Sequence, residues 1–258
     1  NGVELVAKIP FHIFGPKQYT IASEVATMDF LRTECDVPVP QVRAWCSRAE
    51  TSPVGVEYII YEKTPGVTLI EHDTRGLLPF TEDPYARVVA PIQRIQSKLL
   101  RKRFSQIGSI YYKEDVSEEL RGRPLYLDKD EVTPNAERFR IGPTIDREFW
   151  RSGRAELDLD RGPWPDSHSY TKALASCARR CAERMEDRTI REEYRCMISD
   201  FEILAPYLLE TDTPRTLWHP EWHAGSIIVS EKKPWTLRGL TDWQGASVGP
   251  RFLQVQYP

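Results

Sequence analysis

The segment that most restricts the fold lies towards the C-terminal end of the chain. It reads Leu217-Trp218-His219-Pro220-Glu221-Trp222-His223-Ala224-Gly225-Ser226-Ile227-Ile228-Val229 and resumes at Leu240-Thr241-Asp242-Trp243-Gln244. Pro220 argues against a helix here, so the polar stretch 219–226 reads as a loop. The apolar run 227–229 reads as a strand, and Asp242 follows at the far end of a hairpin. The order is a carboxylate two residues after a histidine, a hydroxyl five residues further on, and a second carboxylate beyond the strand. In that order the first carboxylate, Glu221, can accept the proton of an attacking hydroxyl. Ser226 and Asp242 can hold a magnesium ion against phosphate groups. Zinc is a poor alternative, because His219-Pro220-Glu221-Trp222-His223 lacks the H-E-x-x-H spacing that a zinc-binding helix needs.

At 258 residues the chain can bury a sizeable core, as one large domain or two small lobes. Hydrophobic residues at 40% and charged residues at 28% are an ordinary globular balance. A net charge of −3 supplies no general attraction to nucleic acid or to anionic membrane. No apolar run approaches the roughly 20 residues that span a bilayer. The five cysteines, Cys35, Cys46, Cys177, Cys181 and Cys196, are odd in number and scattered. They fit free thiols better than a disulfide framework. The chain opens on Asn1 and stops at Pro258, and it reads as a piece of a longer one, with any targeting peptide outside it.

Residues 3–9 alternate and form an expected strand carrying Lys8. Residues 23–32 form an expected helix, with Ser23 as its N-cap and Glu24 in the first turn. Residues 41–46 and 57–62 read as two further strands, and Pro65-Gly66 as a turn. A helix is expected over 85–104, then a short strand towards 112. The polar, proline-containing stretch 113–165 is long for a connection, which points to a functional role or disorder. It is expected to be a surface excursion near the acceptor side, anchored by Phe149, Trp150 and Trp164. Helices are expected over 170–186 and 191–210, the second burying Tyr194, Met197, Ile198, Phe201, Leu204 and Leu208.

Lys8 and Glu24 lie sixteen positions apart, on an expected strand and the helix after it. A lysine and glutamate so placed orient an ammonium towards the α- and β-phosphates of a nucleotide. The segment EYIIYEKTPG at 57–66 is a strand running into a polar linker, where an adenine edge can meet backbone groups; Glu62 and Thr64 are its candidate nucleotide-facing positions. Cys177 and Cys181 share a helix face without a second pair and read as small core residues. Glu156, Asp158 and Asp160, flanked by Arg154 and Arg161, read as salt-bridged loop charge. Arg101-Lys102-Arg103 reads as the solvated end of a helix.

These features, with FSQIGSIYY at 104–112, IGPTIDREFW at 141–150, LDLDRGPW at 157–164 and DWQGASVGP at 242–250, resemble the aminoglycoside-phosphotransferase family of kinase-like enzymes. The resemblance is to a fungal branch that includes the altered-inheritance-of-mitochondria proteins, and it runs from about residue 8 to residue 258. It implies an α+β, protein-kinase-like two-lobe fold truncated at both ends. The expected lobes are a strand-rich N-lobe over 1–63 and a helical C-lobe over 64–258, with the catalytic loop and metal hairpin at 217–244. It implies ATP and Mg2+, and as partner a small molecule with a hydroxyl to be phosphorylated. It further implies Lys8 and Glu24 as the nucleotide-positioning pair, Asp242 as principal metal ligand and His219 as a brace of the catalytic loop. Glu221 stands where the family has Asp, and Ser226 where it has Asn. The expectation is therefore an impaired phosphotransferase, with a kinase-fold nucleotide-binding or scaffold protein as the alternative. A mitochondrial location is implied, with a cytoplasmic one as the alternative. Glycine-rich strands before Lys8 and further helices after Pro258 are expected outside this sequence.

Overall fold

A computed structural model describes residues 2–11, 15–74, 84–128, 133–209, 213–232 and 235–253. Near the N-terminus, β1 (Leu5–Lys8), β2 (Val42–Cys46) and β3 (Tyr58–Glu62) form an antiparallel sheet in the order β1-β3-β2. Lys8 stands opposite Ile59 in its register. Helix α1 (Lys17–Glu34) lies between β1 and β2 in the chain. It begins at Lys17 rather than at residue 23, so Ser23 is not an N-cap and Glu24 is not in a first turn. From Thr20 to Leu31 every residue except Asp29 is buried. The small polar side chains of Thr20, Ser23 and Thr27 point inward with the apolar ones, which erases the periodic stripe that marks a helix start.

The rest of the chain is built from short sheets and helices. β4 (Val67–Thr68) and α2 (Leu69–Thr74) follow the linker, and α3 (Pro84–Arg101) runs through Pro91 to β5 (Ser109–Tyr112). Residues 113–165 contain α4 (Glu118–Arg121) and β6 (Phe139–Gly142), and β6 pairs antiparallel with β5. This stretch reaches further inward than a surface excursion does, because Phe139 and Ile141 of β6 join the main core. There Phe30, from α1, sits 5.7 Å from Phe104 and 5.6 Å from Phe139 between ring centres. Phe149, Trp150 and Trp164 are buried in a second cluster with Tyr170 and Cys177, which fixes the end of the stretch to α5 (Ser167–Ala182). The acids at 156–160 have local partners: Asp160 accepts from the Trp164 indole at 2.9 Å, and Glu156 lies 3.7 Å from Arg184.

Helix α5 starts where Asp166 accepts from the Ser169 N–H, and α6 (Arg188–Leu208) where Asp187 accepts from Thr189 and Ile190. The two helices pack on each other through Ala175, Ala182 and Ile198. The face expected to be buried on α6 is largely not: Tyr194, Met197, Phe201 and Leu204 are 40% to 56% exposed, and only Ile198 is covered. The apolar stripe exists in the sequence, but among the described residues α5 covers one edge of it. The side chain of Leu208, and residue 210, lie outside the described residues.

The C-terminal part places the site. β7 (Arg215–Trp218) pairs with β10 (Ser247–Pro250). Between them, β8 (Ile227–Val229) and β9 (Leu237–Leu240) form a hairpin whose first strand also pairs with β4. The loop after β7 and the turn after β9 therefore emerge side by side. Among the described residues no helix is long and apolar enough to cross a membrane. Phe104→Ala, in the core, should reduce unfolding free energy by about 3–5 kcal/mol in urea denaturation. Met197→Ala, on the open face of α6, should cost under about 1 kcal/mol. A loss of several kcal/mol at Met197 would show that this face is covered in the protein as tested.

Candidate active site

His219 holds the two adjacent loops together. It is 1% exposed, and its Nδ1 accepts the Glu221 N–H at 3.2 Å. Nε2 must then carry the ring proton, which it donates to the Thr241 carbonyl at 2.8 Å. Trp222 and Trp243 enclose the ring at 4.7 and 4.5 Å between centres. Burial holds the imidazole below its ordinary range, so it stays neutral. The backbone adds a second tie, with Thr241 N donating to the Ser226 carbonyl at 2.9 Å. The ring is a structural bridge from Glu221 to the residue before Asp242.

Asp242 adopts φ 62, a left-handed conformation uncommon outside glycine. It is exposed, and its carboxylate makes no hydrogen bond among the described residues. Across the cleft, Lys8 Nζ donates to both carboxylate oxygens of Glu24 at 2.7 and 2.9 Å. Glu24 sits in the middle of α1 and is 3% exposed. Burial raises its pKa, Lys8 opposes that, and the charge of Asp242 pushes in the same direction as burial. Tyr61, on β3, is raised by burial and then by Glu24 and Asp242. Four groups from β1, α1, β3 and the turn after β9 thus share one electrostatic neighbourhood.

Magnesium tolerates one or two carboxylates with phosphates and water making up its shell, and the free Asp242 carboxylate fits that demand. Ser226 fits it less well. It is 0% exposed, its Oγ donates to the His223 carbonyl at 2.9 Å, and it accepts from His223 N at 3.4 Å. Among the described residues no cluster of three or more metal-binding side chains occurs. Glu62 is committed elsewhere too, its carboxylate to Arg43 and its N–H to the Gln41 carbonyl. Thr64 passes so close to β9 that a Cβ on Gly239 would meet its Cγ2 at 2.8 Å, so glycine there lets the linker lie against the hairpin.

The Glu221 side chain is 64% exposed, and its carboxylate lies 3.8 Å from Arg147. Both residues line a cleft of about 540 Å³ walled by residues 144–151, Tyr170, Trp218 and β10. Asp146 caps the turn at its rim by accepting from Glu148 N at 3.0 Å, and burial raises its pKa. The IGPTIDREFW stretch was visible in the sequence, but the contact of Arg147 with Glu221 was not, because 74 positions separate them. Tyr61, Trp218 and Gln244 were missed for a plainer reason: nothing in their spacing distinguishes them from packing residues.

The chain is 32% identical to a subtelomeric hrmA-associated cluster protein of Aspergillus fumigatus, over 100% of the chain and 56% of that protein. It is 28% identical to the mitochondrial altered inheritance of mitochondria protein 9 of Komagataella phaffii, over 98% of the chain and 44% of that protein. With the protein of that name from Yarrowia lipolytica it shares 34% identity over 68% of the chain and 31% of the relative. The chain therefore spans about half the length, or less, of the curated relatives it matches. The profile of the phosphotransferase enzyme family (APH) matches residues 1–253, and the chain belongs to that family.

Proposed function

We propose that the protein transfers the γ-phosphoryl group of magnesium-bound ATP to a hydroxyl of a small molecule, and does so slowly. The observation that carries this reading is the Lys8–Glu24 pair, closed at 2.7 Å in the electrostatic neighbourhood of the exposed Asp242. Lys8 keeps 23% of its side chain exposed, so its ammonium can meet phosphate oxygens while Glu24 holds it. Asp242 would hold the magnesium, which neutralises charge on the phosphates. The acceptor oxygen attacks the γ-phosphorus while the bond to the β–γ bridging oxygen breaks, and ADP leaves with that electron pair. The hydroxyl proton passes to Glu221. His219 positions Glu221 and takes no proton. The relatives named mitochondrial support a mitochondrial location for this chain as well.

Slowness is read from two residues. Glu221 adds a methylene to the family's Asp, a shift of roughly 1.5 Å, and misplacement by about 1 Å can cost on the order of 100-fold in rate. Ser226 turns its hydroxyl into the loop's own backbone. This second observation favours an alternative, a nucleotide-binding protein of the same fold with little or no transfer.

On the full-length protein, Lys8→Ala should weaken magnesium-ATP binding about tenfold or more in calorimetry, the scale of a lost charge-assisted hydrogen bond. Equal affinities would remove Lys8 from the nucleotide site. Combining Glu221→Asp with Ser226→Asn should raise ATP turnover at least tenfold if the loop is impaired. Wild-type turnover already in the kinase range of about 1–100 per second would overturn impairment. Magnesium-ATP binding with no turnover in either protein would favour the binding reading.

A further inference from the structure

The cleft beside Glu221 carries two guanidinium groups and borders two buried N–H groups. Trp218 lines it, and its indole N–H has no hydrogen-bond partner among the described residues. Gln244, on a small adjoining recess shared with Arg147, has an amide nitrogen without a partner there too. Two guanidinium groups face the same space. Arg147 stands 3.8 Å from Glu221, with both side chains close to half exposed or more. That is a loose surface pair which a competing anion can displace at little cost. Arg151 is paired with Glu148, but Glu148 has a second cation, Arg154, at 3.8 Å. It would therefore stay paired if Arg151 turned to a ligand.

The cleft's carboxylates do not oppose an anion as strongly as their number implies. Asp146 has a carboxyl oxygen occupied by its own capping bond, and burial favours its neutral form. Glu148 lies between two arginines. Glu221 is the group that must accept a proton. Guanidinium forks match carboxylate and phosphate oxygens in pairs.

We propose that this cleft receives the acceptor, and that the acceptor carries an oxyanion, carboxylate or phosphate, near the hydroxyl to be phosphorylated. Arg147 and Arg151 are the residues that select it. This rests on the phosphotransferase reading above and adds the acceptor's chemical class to it. When the oxyanion takes Arg147, the Glu221 carboxylate loses its cation and is left to receive the hydroxyl proton. The same contact that recognises the acceptor thereby releases the base.

The test holds the carbon skeleton constant and varies the charge. Glycerate, glycerol 1-phosphate, glycerol and 3-aminopropane-1,2-diol are titrated against full-length protein without nucleotide, by calorimetry or tryptophan fluorescence. Glycerate or glycerol 1-phosphate should bind at least tenfold more tightly than the other two, and the tighter of the pair identifies the oxyanion. Arg147→Ala and Arg151→Ala should each remove about tenfold of that preference. Arg147→Lys, which keeps the charge and loses the fork, should retain part of it and guards against misfolding of the alanine variant. Preference for glycerol or the amine, a preference that survives loss of both arginines, or failure of all four compounds to bind would overturn the proposal. Magnesium-ATP binding measured on the same samples separates the two readings. Loss of nucleotide binding with arginine-dependent glycerate binding would sink the phosphotransferase reading alone, and the converse would sink only the oxyanion cleft.

Discussion

The two hydrogen bonds of His219 set the geometry on which the rest of the site depends. They connect the Glu221 backbone, in the loop after β7, to the Thr241 carbonyl, in the turn after β9. These loops carry Glu221 and Asp242, and the imidazole ties them together alongside the Thr241–Ser226 backbone bond. The neutral ring can serve both partners at once because one nitrogen donates and the other accepts. A protonated ring would lose its acceptor and leave the Glu221 N–H unsatisfied. Burial between Trp222 and Trp243 disfavours that protonation, so packing and tautomer choice are one arrangement. The same burial makes His219 ill-suited to proton transfer despite its place in the motif.

A second constraint is electrostatic. Glu24 is a carboxylate taken out of water, and burial works against its charge more strongly than Lys8 works for it. Unit charges about 4 Å apart at an effective dielectric near 20 interact by about 4 kcal/mol, the same order as the penalty for burying an unpaired ion. Asp242 adds negative charge to the same neighbourhood and raises both Glu24 and Tyr61. Two carboxylates thus act on one another beside an ammonium that Glu24 holds through both its oxygens. Under the proposed function, a divalent cation at Asp242 would relieve that repulsion, and phosphates brought with it would give Lys8 further partners. Metal and nucleotide should thus bind as a unit, since each corrects the field that disfavours the other.

Much of this was legible in the sequence because it depends on local order. Lys8 on a strand and Glu24 on the next helix met as expected, even though the helix starts at Lys17 and the assigned cap is interior. The registration of Glu24 survived the wrong boundary because it depends on the helix face, not on the helix end. The α6 face failed for the opposite reason: periodicity reports which side of a helix is apolar, and says nothing about whether another element covers it. Tyr194 and Met197 carry a genuine stripe that the described residues leave open. Ser226 failed at the level of a single rotamer, since the sequence gives a hydroxyl at the right spacing but not the His223 carbonyl that binds it.

Glu221 stands where the family resemblance implies Asp, and its neighbour in the structure is Arg147. At 3.8 Å the Glu221 carboxylate is just within ion-pair range of the guanidinium. A carboxylate one carbon–carbon bond shorter, by roughly 1.5 Å, would fall outside that range on the same backbone. The methylene by which Glu exceeds Asp is thus what brings this carboxylate to the arginine. A pair this exposed contributes little stability, about 0–1 kcal/mol, so stability is a poor reason for the contact. Its effect is on where the carboxylate lies, because a side chain turned towards Arg147 is turned away from other partners. An acceptor able to take Arg147 would undo both the pairing and the displacement, leaving the longer side chain free to turn towards the hydroxyl. Under the proposed function, Glu221 would then act as base only when the cleft is occupied, and Glu221 and Arg147 would work together.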